Sequence, residues 1–112
     1  MSDQQIISKI EAMVKSNDIV LFMKGSKDMP MCGFSGAVVK TLAKFGLNDY
    51  LDVNVLADEA IRQGVKDYAN WPTIPQLYIK GEFVGGCDIV IDMFSSGELK
   101  KLLTEKGLIK QD

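Results

Sequence analysis

Ile19-Val20-Leu21-Phe22-Met23 constrains this chain more than any other stretch. A strand with one face in water alternates apolar and polar residues. This run does not alternate, and its members are β-branched, aromatic or long aliphatic, so it reads as a strand buried on both faces. Such a strand needs helices on each side of its sheet, and the flanking sequence supplies them. Ser2 with Gln5 makes a capping box before a helix on which Ile6, Ile10, Met13 and Val14 share one face, and Asn17-Asp18 ends it. Lys24 to Pro30 is a polar, breaker-rich loop. Phe34, Val38, Leu42 and Phe45 then repeat at helical spacing, with Gly46 as the C-terminal cap.

Leu51, Val53 and Val55 alternate with Tyr50, Asp52 and Asn54, the pattern of a half-buried strand. Asp58 caps a helix bearing Ile61, Val65 and Tyr68, which Trp71-Pro72 stops. Gln76 to Ile79 and Glu82 to Val84 flank Lys80-Gly81 as a compact hairpin. Asp88 caps a further helix through Met93, and Ser95 with Glu98 forms a second box before Leu99, Leu102 and Leu103. The first two strands flank a helix long enough for a right-handed parallel crossover, and the last two must be antiparallel. The expected fold is α/β of the thioredoxin-like kind, a mixed four-stranded sheet flanked by helices on both faces. At 112 residues a second core would be too small to fold comfortably, so residues 1–112 are expected to form one domain.

Histidine is absent and cysteine occurs twice. Those counts exclude Ser–His–Asp triads, Cys–His dyads and His-containing metal sites within the chain, together with a disulfide-stapled scaffold and an all-cysteine structural zinc site. With 13 Lys+Arg against 15 Asp+Glu, the net charge of −2 carries no basic field for nucleic acid. Met1 to Gln5 has an early acid and no apolar h-region, so it does not read as a signal peptide. Ile19 to Met23 is far too short to cross a bilayer. The expectation is a soluble chain in a reducing compartment, with neither nucleic acid nor membrane as partner.

Three segments carry chemistry. Cys32-Gly33-Phe34-Ser35 lies where the polar loop meets a helix start near Gly33. Unpaired N–H groups and the positive end of the helix dipole there favour thiolate over thiol. The competing reading is a small buried hydrophobe, which the loop neighbours of Cys32 disfavour. Trp71-Pro72-Thr73-Ile74-Pro75 suits a rigid turn before a strand. Pro75 is a candidate cis proline that would expose the Ile74 backbone to an extended ligand, although an ordinary trans turn would be favoured if the segment stood alone. Gly85-Gly86-Cys87-Asp88 places a carboxylate at a helix start, with Cys87 itself read as buried. Lys24 and Arg62 are the cations of interest, Arg62 being the single arginine.

Taken together, K-G-x-x-x-x-P-x-C-G-F-S at Lys24 to Ser35, W-P-T-I-P-Q at Trp71 to Gln76 and G-G-C-D at Gly85 to Asp88 resemble the monothiol glutaredoxins of the CGFS class. The resemblance runs through nearly the whole chain, in the right order and spacing, and three linked motifs are a far stronger signal than C-G-F-S alone. It implies that Cys32 coordinates iron and is the redox-active residue, and that glutathione lies in a groove beside it. The glycyl carboxylate of glutathione would meet Lys24 and Arg62, and its cysteinyl backbone would pair with Ile74 ahead of Pro75. Its γ-glutamyl end would meet the backbone of Cys87 and Asp88, with the Asp88 carboxylate facing the ligand ammonium, and Thr73 would line the same groove. Two cations and one acid match the two carboxylates and one ammonium of glutathione.

The resemblance implies a carrier of a [2Fe-2S] cluster. Such a cluster takes four thiolates. Two copies of Cys32 and two glutathione thiols supply them, giving a homodimer when cluster-bound and a monomer when apo; Cys32 and Cys87 from two chains form the less favoured set. Ser35 cannot close a disulfide with Cys32 as the second cysteine of a C-x-x-C site would. The alternative is a glutathione-dependent oxidoreductase acting on mixed disulfides, an activity the family resemblance makes weak. BolA-like and iron–sulfur assembly proteins are the partners implied. The location implied is cytoplasmic in a bacterium, or the mitochondrial matrix for a processed eukaryotic protein.

Overall fold

The computed structural model describes residues 3–110. Its elements follow in the order α1 (Gln4–Ser16), β1 (Ile19–Met23), α2 (Gly33–Ala43), β2 (Leu51–Asn54), a 3-10 turn (Val55–Ala57), α3 (Glu59–Ala69), β3 (Gln76–Ile79), β4 (Glu82–Gly85), α4 (Cys87–Ser96) and α5 (Glu98–Glu105). The sheet order is β2-β1-β3-β4. β1 runs parallel to β2 and antiparallel to β3, and β3 is antiparallel to β4. This is the mixed four-stranded arrangement expected from the helix between β1 and β2 and from the hairpin.

All five residues of β1 are buried, as a two-sided strand requires. Ile19, Leu21 and Met23 face one layer with Val38 and Leu42 of α2, Val90 of α4, and Leu99 and Leu103 of α5. Val20 and Phe22 face the other, with Ile10 and Val14 of α1, Ile61 and Val65 of α3, and Tyr78 of β3. Each fully buried leucine contributes on the order of 2–5 kcal/mol against truncation to alanine. β2 at the sheet edge is half-buried throughout, as expected, but burial does not alternate along it, and Val55 falls in the 3-10 turn that follows.

Local chemistry fixes the ends. The Ser2 half of the first capping box lies outside the described residues; the observed cap is Asp3, whose Oδ1 accepts from the Ile6 N–H at 2.9 Å. Asp58 caps α3 as expected, accepting from the Ala60 and Ile61 N–H groups. Lys80 and Gly81 both have positive φ, the two-residue turn whose twist suits a hairpin. The Lys80 N–H donates to the Asp18 carbonyl at 2.7 Å and its ammonium pairs with the Asp18 carboxylate at 2.9 Å, which holds a non-glycine residue in that conformation. After α2, the Gly46 N–H donates to the Ala43 carbonyl and the Leu47 N–H to the Leu42 carbonyl, closing the helix at the expected glycine.

Two local expectations are corrected, and one residue of a correctly placed helix stands outside the core. Phe34 shares helical spacing with the core residues Val38 and Leu42 but is 64% exposed. Its turn of α2 is tied to the segment just past β1 through Ser35, whose hydroxyl meets the Lys24 N–H, and Ser35 is the residue that turns inward. Asp88 is not a cap: β4 extends to Gly85, Gly86 is the N-cap, and α4 starts at Cys87, leaving Asp88 in its first turn. Gly85 has a φ of +149°, and a Cβ there would stand 2.8 Å from Ile89, so only glycine lets strand and helix meet this closely. Ser95 and Glu98 form no capping box, because α4 continues through Ser96 and breaks at Gly97; the Ser96 hydroxyl accepts from the Glu98 N–H at 3.3 Å.

Candidate functional site

The loop after β1 is a closed, anchored structure. The Met31 N–H donates to the Lys24 carbonyl at 2.9 Å, and Gly25 and Pro30 form an isolated bridge. Gly25 has a φ of +89°, and a Cβ on it would stand 2.5 Å from the Met29 carbonyl oxygen and 2.6 Å from the Met31 nitrogen, so only glycine permits the closure. Side chains of β2 sew this loop to the sheet edge. Asn54 Oδ1 accepts from the Gly25 N–H at 2.9 Å, and Asp52 Oδ2 accepts from the Lys27 N–H at 2.9 Å. The Lys27 ammonium donates to the Tyr50 carbonyl at 3.0 Å and lies over the Tyr50 ring.

This closure delivers Cys32 to the N-cap of α2, half-buried. Its pKa is lowered, foremost by the Ser35 backbone N–H, with the Phe34 N–H, the Lys24 ammonium and the Ser35 hydroxyl adding to the effect and partial burial opposing it. The helix-start argument made from sequence is therefore met by these groups. Ser35 is fully buried, and its hydroxyl accepts from the Lys24 N–H at 3.1 Å, tying α2 to the end of β1. Met29, Met31 and Phe34 stand 73%, 67% and 64% exposed, an apolar collar within two or three residues of the thiol.

Beside the thiol runs a groove of about 430 Å³. One wall is the Trp71–Pro75 segment, whose Ile74-Pro75 peptide is cis. The other is Gly86, Cys87, Asp88 and Ile89 at the start of α4, and Lys24, Arg62 and Lys66 supply positive charge. The expected Lys24, Arg62, Thr73, Ile74, Pro75, Cys87 and Asp88 thus meet in one place. Cys32 does not line the groove; it stands at the rim, close enough for its charge to act on Cys87. Cys87 is half-buried and its pKa is raised, by burial first, then by the Asp88 carboxylate and Cys32. The two thiols are therefore biased in opposite directions.

Three residues of the site escaped the sequence reading, Ile89 on the α4 wall and two others. Lys66 follows Arg62 by four residues on α3, a spacing that puts both on one helix face and could have disclosed it. Gln76 lies under the Trp71–Pro75 wall, fully buried, and its amide nitrogen donates to the carbonyls of both Trp71 and Thr73. Arg62 makes a weak surface pair with Glu59 at 3.8 Å, an interaction too small to withhold it from a ligand. Among the described residues, Trp71 Nε1 is a buried donor with no hydrogen-bond partner, 3.5 Å from where a Cβ on Gly86 would stand. Three cations, one carboxylate and an orphaned donor suit a small ligand bearing carboxylates and an ammonium.

Residues 19–84 match the family model described as Glutaredoxin. The chain is 50% identical to the probable monothiol glutaredoxin 2 of Rickettsia typhi over 98% of this chain and 99% of that protein. A solution structure of a monomeric truncated mutant of Trypanosoma brucei 1-C-Grx1 superposes with a TM-score of 0.84 at 46% identity, covering 95% of this chain and 96% of the other. A crystal structure of a buckwheat glutaredoxin–glutathione complex gives a TM-score of 0.82 at 28% identity, covering 95% and 94%.

Proposed function

The chain belongs to the glutaredoxin family, with monothiol members among its relatives, and from that premise we propose that it carries a glutathione-ligated [2Fe-2S] cluster between two copies of itself and passes the cluster to acceptor proteins. The observation that carries this reading is the contrast at the start of α2. Cys32 has an acidified thiol at a groove rim, whereas the position where a second active-site thiol would stand holds Ser35, buried and engaged with the Lys24 N–H. A lone thiolate that its own chain does not close into a C-x-x-C disulfide is suited to be one ligand of a shared cluster.

The groove would supply the other ligand by holding glutathione. Lys24 and Arg62 would bind its glycyl carboxylate, the Ile74 backbone its cysteinyl unit, and Cys87 and Asp88 its γ-glutamyl end, with Thr73 along the wall. Bound glutathione brings a second thiolate to the rim. Two such sites facing each other complete the four sulfurs, and the exposed collar of Met29, Met31 and Phe34 favours a face that meets another protein surface. Two of the four ligands are then held without covalent attachment, which suits release to an acceptor. The acceptors proposed are BolA-like and iron–sulfur assembly proteins, in a reducing compartment where the thiolates persist. No described helix is long and apolar enough to cross a membrane.

Anaerobic loading of variants tests the ligand assignment. Cys32→Ser should lose the visible absorbance of the cluster and Cys87→Ser should keep most of it; the reverse result would overturn the reading. The acidified Cys32 also favours a second reading, reduction of glutathionylated proteins. In that reaction the Cys32 thiolate attacks the glutathionyl sulfur and the protein thiolate leaves; a second glutathione thiolate then displaces Cys32 and departs as glutathione disulfide. Turnover of a glutathionylated peptide by metal-free protein, comparable to a dithiol glutaredoxin, would make this the principal activity.

A further inference from the structure

We propose that Gln76 is a positioning residue for the glutathione site: its side-chain amide pins the Trp71–Thr73 wall to the sheet and so sets the width of the groove. The proposal rests on the glutathione reading of that groove. Gln76 opens β3 directly after Pro75, opposite Phe22 in the register, and is fully buried. A buried primary amide costs free energy unless its donors and acceptor are paired. Here the Nε2 group donates to the Trp71 carbonyl at 3.2 Å and to the Thr73 carbonyl at 3.2 Å. Oε1 accepts from the Tyr78 hydroxyl at 3.3 Å, and the Tyr78 ring is itself packed against Phe22 and Phe83.

Both amide hydrogens are thus spent on one short segment, and the amide oxygen is spent on a rigid aromatic side chain rooted in the same strand. An apolar residue of similar length would fill the volume as well, but only an amide joins two wall carbonyls to the sheet. The segment is also held by the Trp71 N–H, which donates to the Lys66 carbonyl at the end of α3, by the Trp71 ring against Phe83, and by the buried Ile74 side chain; none of these fixes the Trp71 and Thr73 carbonyls. With the amide gone, the Trp71–Thr73 stretch between those anchors loses its tie to the sheet and can shift relative to Cys87 and Asp88. A ligand whose contacts span two walls binds best when both are already held in place, so loosening one costs affinity.

Gln76→Glu separates positioning from mere stability. The carboxylate keeps the shape, removes both donors, and sets negative oxygens against the Trp71 and Thr73 carbonyls. Burial and those carbonyls, with the Tyr78 hydroxyl the one donor to it, hold the new carboxyl protonated to unusually high pH. Titration of reduced glutathione under anaerobic conditions, followed calorimetrically across a pH series, should show affinity about 10-fold or more below wild type at the alkaline end, where the carboxyl is ionised. The gap should narrow as pH falls and the protonated carboxyl regains one donor. Tyr78→Phe, a core-conservative change that frees the amide oxygen, should weaken binding about two- to threefold. The Cys32 thiolate absorbance, titrated in parallel, should keep its wild-type midpoint in both variants, because the thiol is set by α2. Wild-type binding with unchanged affinity in both variants overturns the Gln76 assignment alone. Loss of affinity and of Cys32 acidity together shows a structural role and also overturns it. A wild-type protein without glutathione affinity overturns the site reading and the assignment with it.

Discussion

Ser35→Ala is the change whose consequences can be worked most fully from the structure. The Ser35 hydroxyl is fully buried and accepts the Lys24 N–H at 3.1 Å. Alanine leaves that N–H without its acceptor at a part-buried position, a loss of about 1–2 kcal/mol. For a chain of 112 residues this corresponds to a fall in Tm of roughly 4–10 °C. The thiol should respond much less. The largest influence lowering the Cys32 pKa is the Ser35 backbone N–H, which alanine retains, whereas the Ser35 hydroxyl is the smallest contributor. The variant should therefore melt earlier while its Cys32 thiol stays more acidic than an ordinary cysteine. Thermal denaturation followed by circular dichroism reads the first effect, and thiolate absorbance against pH reads the second. An unchanged Tm with a thiol restored to ordinary acidity would refute the reasoning, because it would make the hydroxyl a group acting on sulfur and not a tie between β1 and α2.

The two thiols should separate by pH. Alkylation follows the thiolate, so Cys32, with its lowered pKa, should label at lower pH than Cys87, whose pKa is raised. Selectivity should fade as pH rises through the Cys87 transition, and mass spectrometry showing Cys87 labelled first would contradict the electrostatics. Lys24→Ala should weaken glutathione binding about 3- to 10-fold at low salt and by less at high salt, since the half-exposed contact is charge-assisted and screened; an affinity indifferent to salt would remove Lys24 from the site. Asn54→Ala removes the acceptor shared by the Gly25 and Leu56 N–H groups. Amide exchange at Gly25 and Met31 should accelerate while Leu99 and Leu103 stay protected, and equal loss throughout would show that Asn54 supports the whole fold.

Legibility from sequence followed the range of the forces involved. The unbroken apolar run at Ile19–Met23, the Asp58 cap and the Lys80-Gly81 turn are settled by neighbours in the chain, and each formed where its local chemistry directs. Pro75 was readable as a cis candidate because its motif is contiguous. The exposure of Phe34 is not legible, because helical spacing reports which face a residue occupies but not what covers that face. Asp88 and Ser95 were each displaced by a backbone decision nearby, the direct passage of β4 into α4 and the break at Gly97. The amide of Gln76 and the Asn54 clamp, 29 residues from its partner Gly25, depend on pairings that no periodicity encodes. The elements were therefore legible, and the ties that hold the groove and its loop were not.

Anaerobic reconstitution of the wild-type chain with iron, sulfide and glutathione, read by visible absorbance and elution volume before and after glutathione is removed, tests the cluster assignment most directly. A coloured dimer that bleaches and elutes as a monomer once glutathione is gone is the expected result. A cluster that survives that removal, or that forms on a monomer, would contradict it.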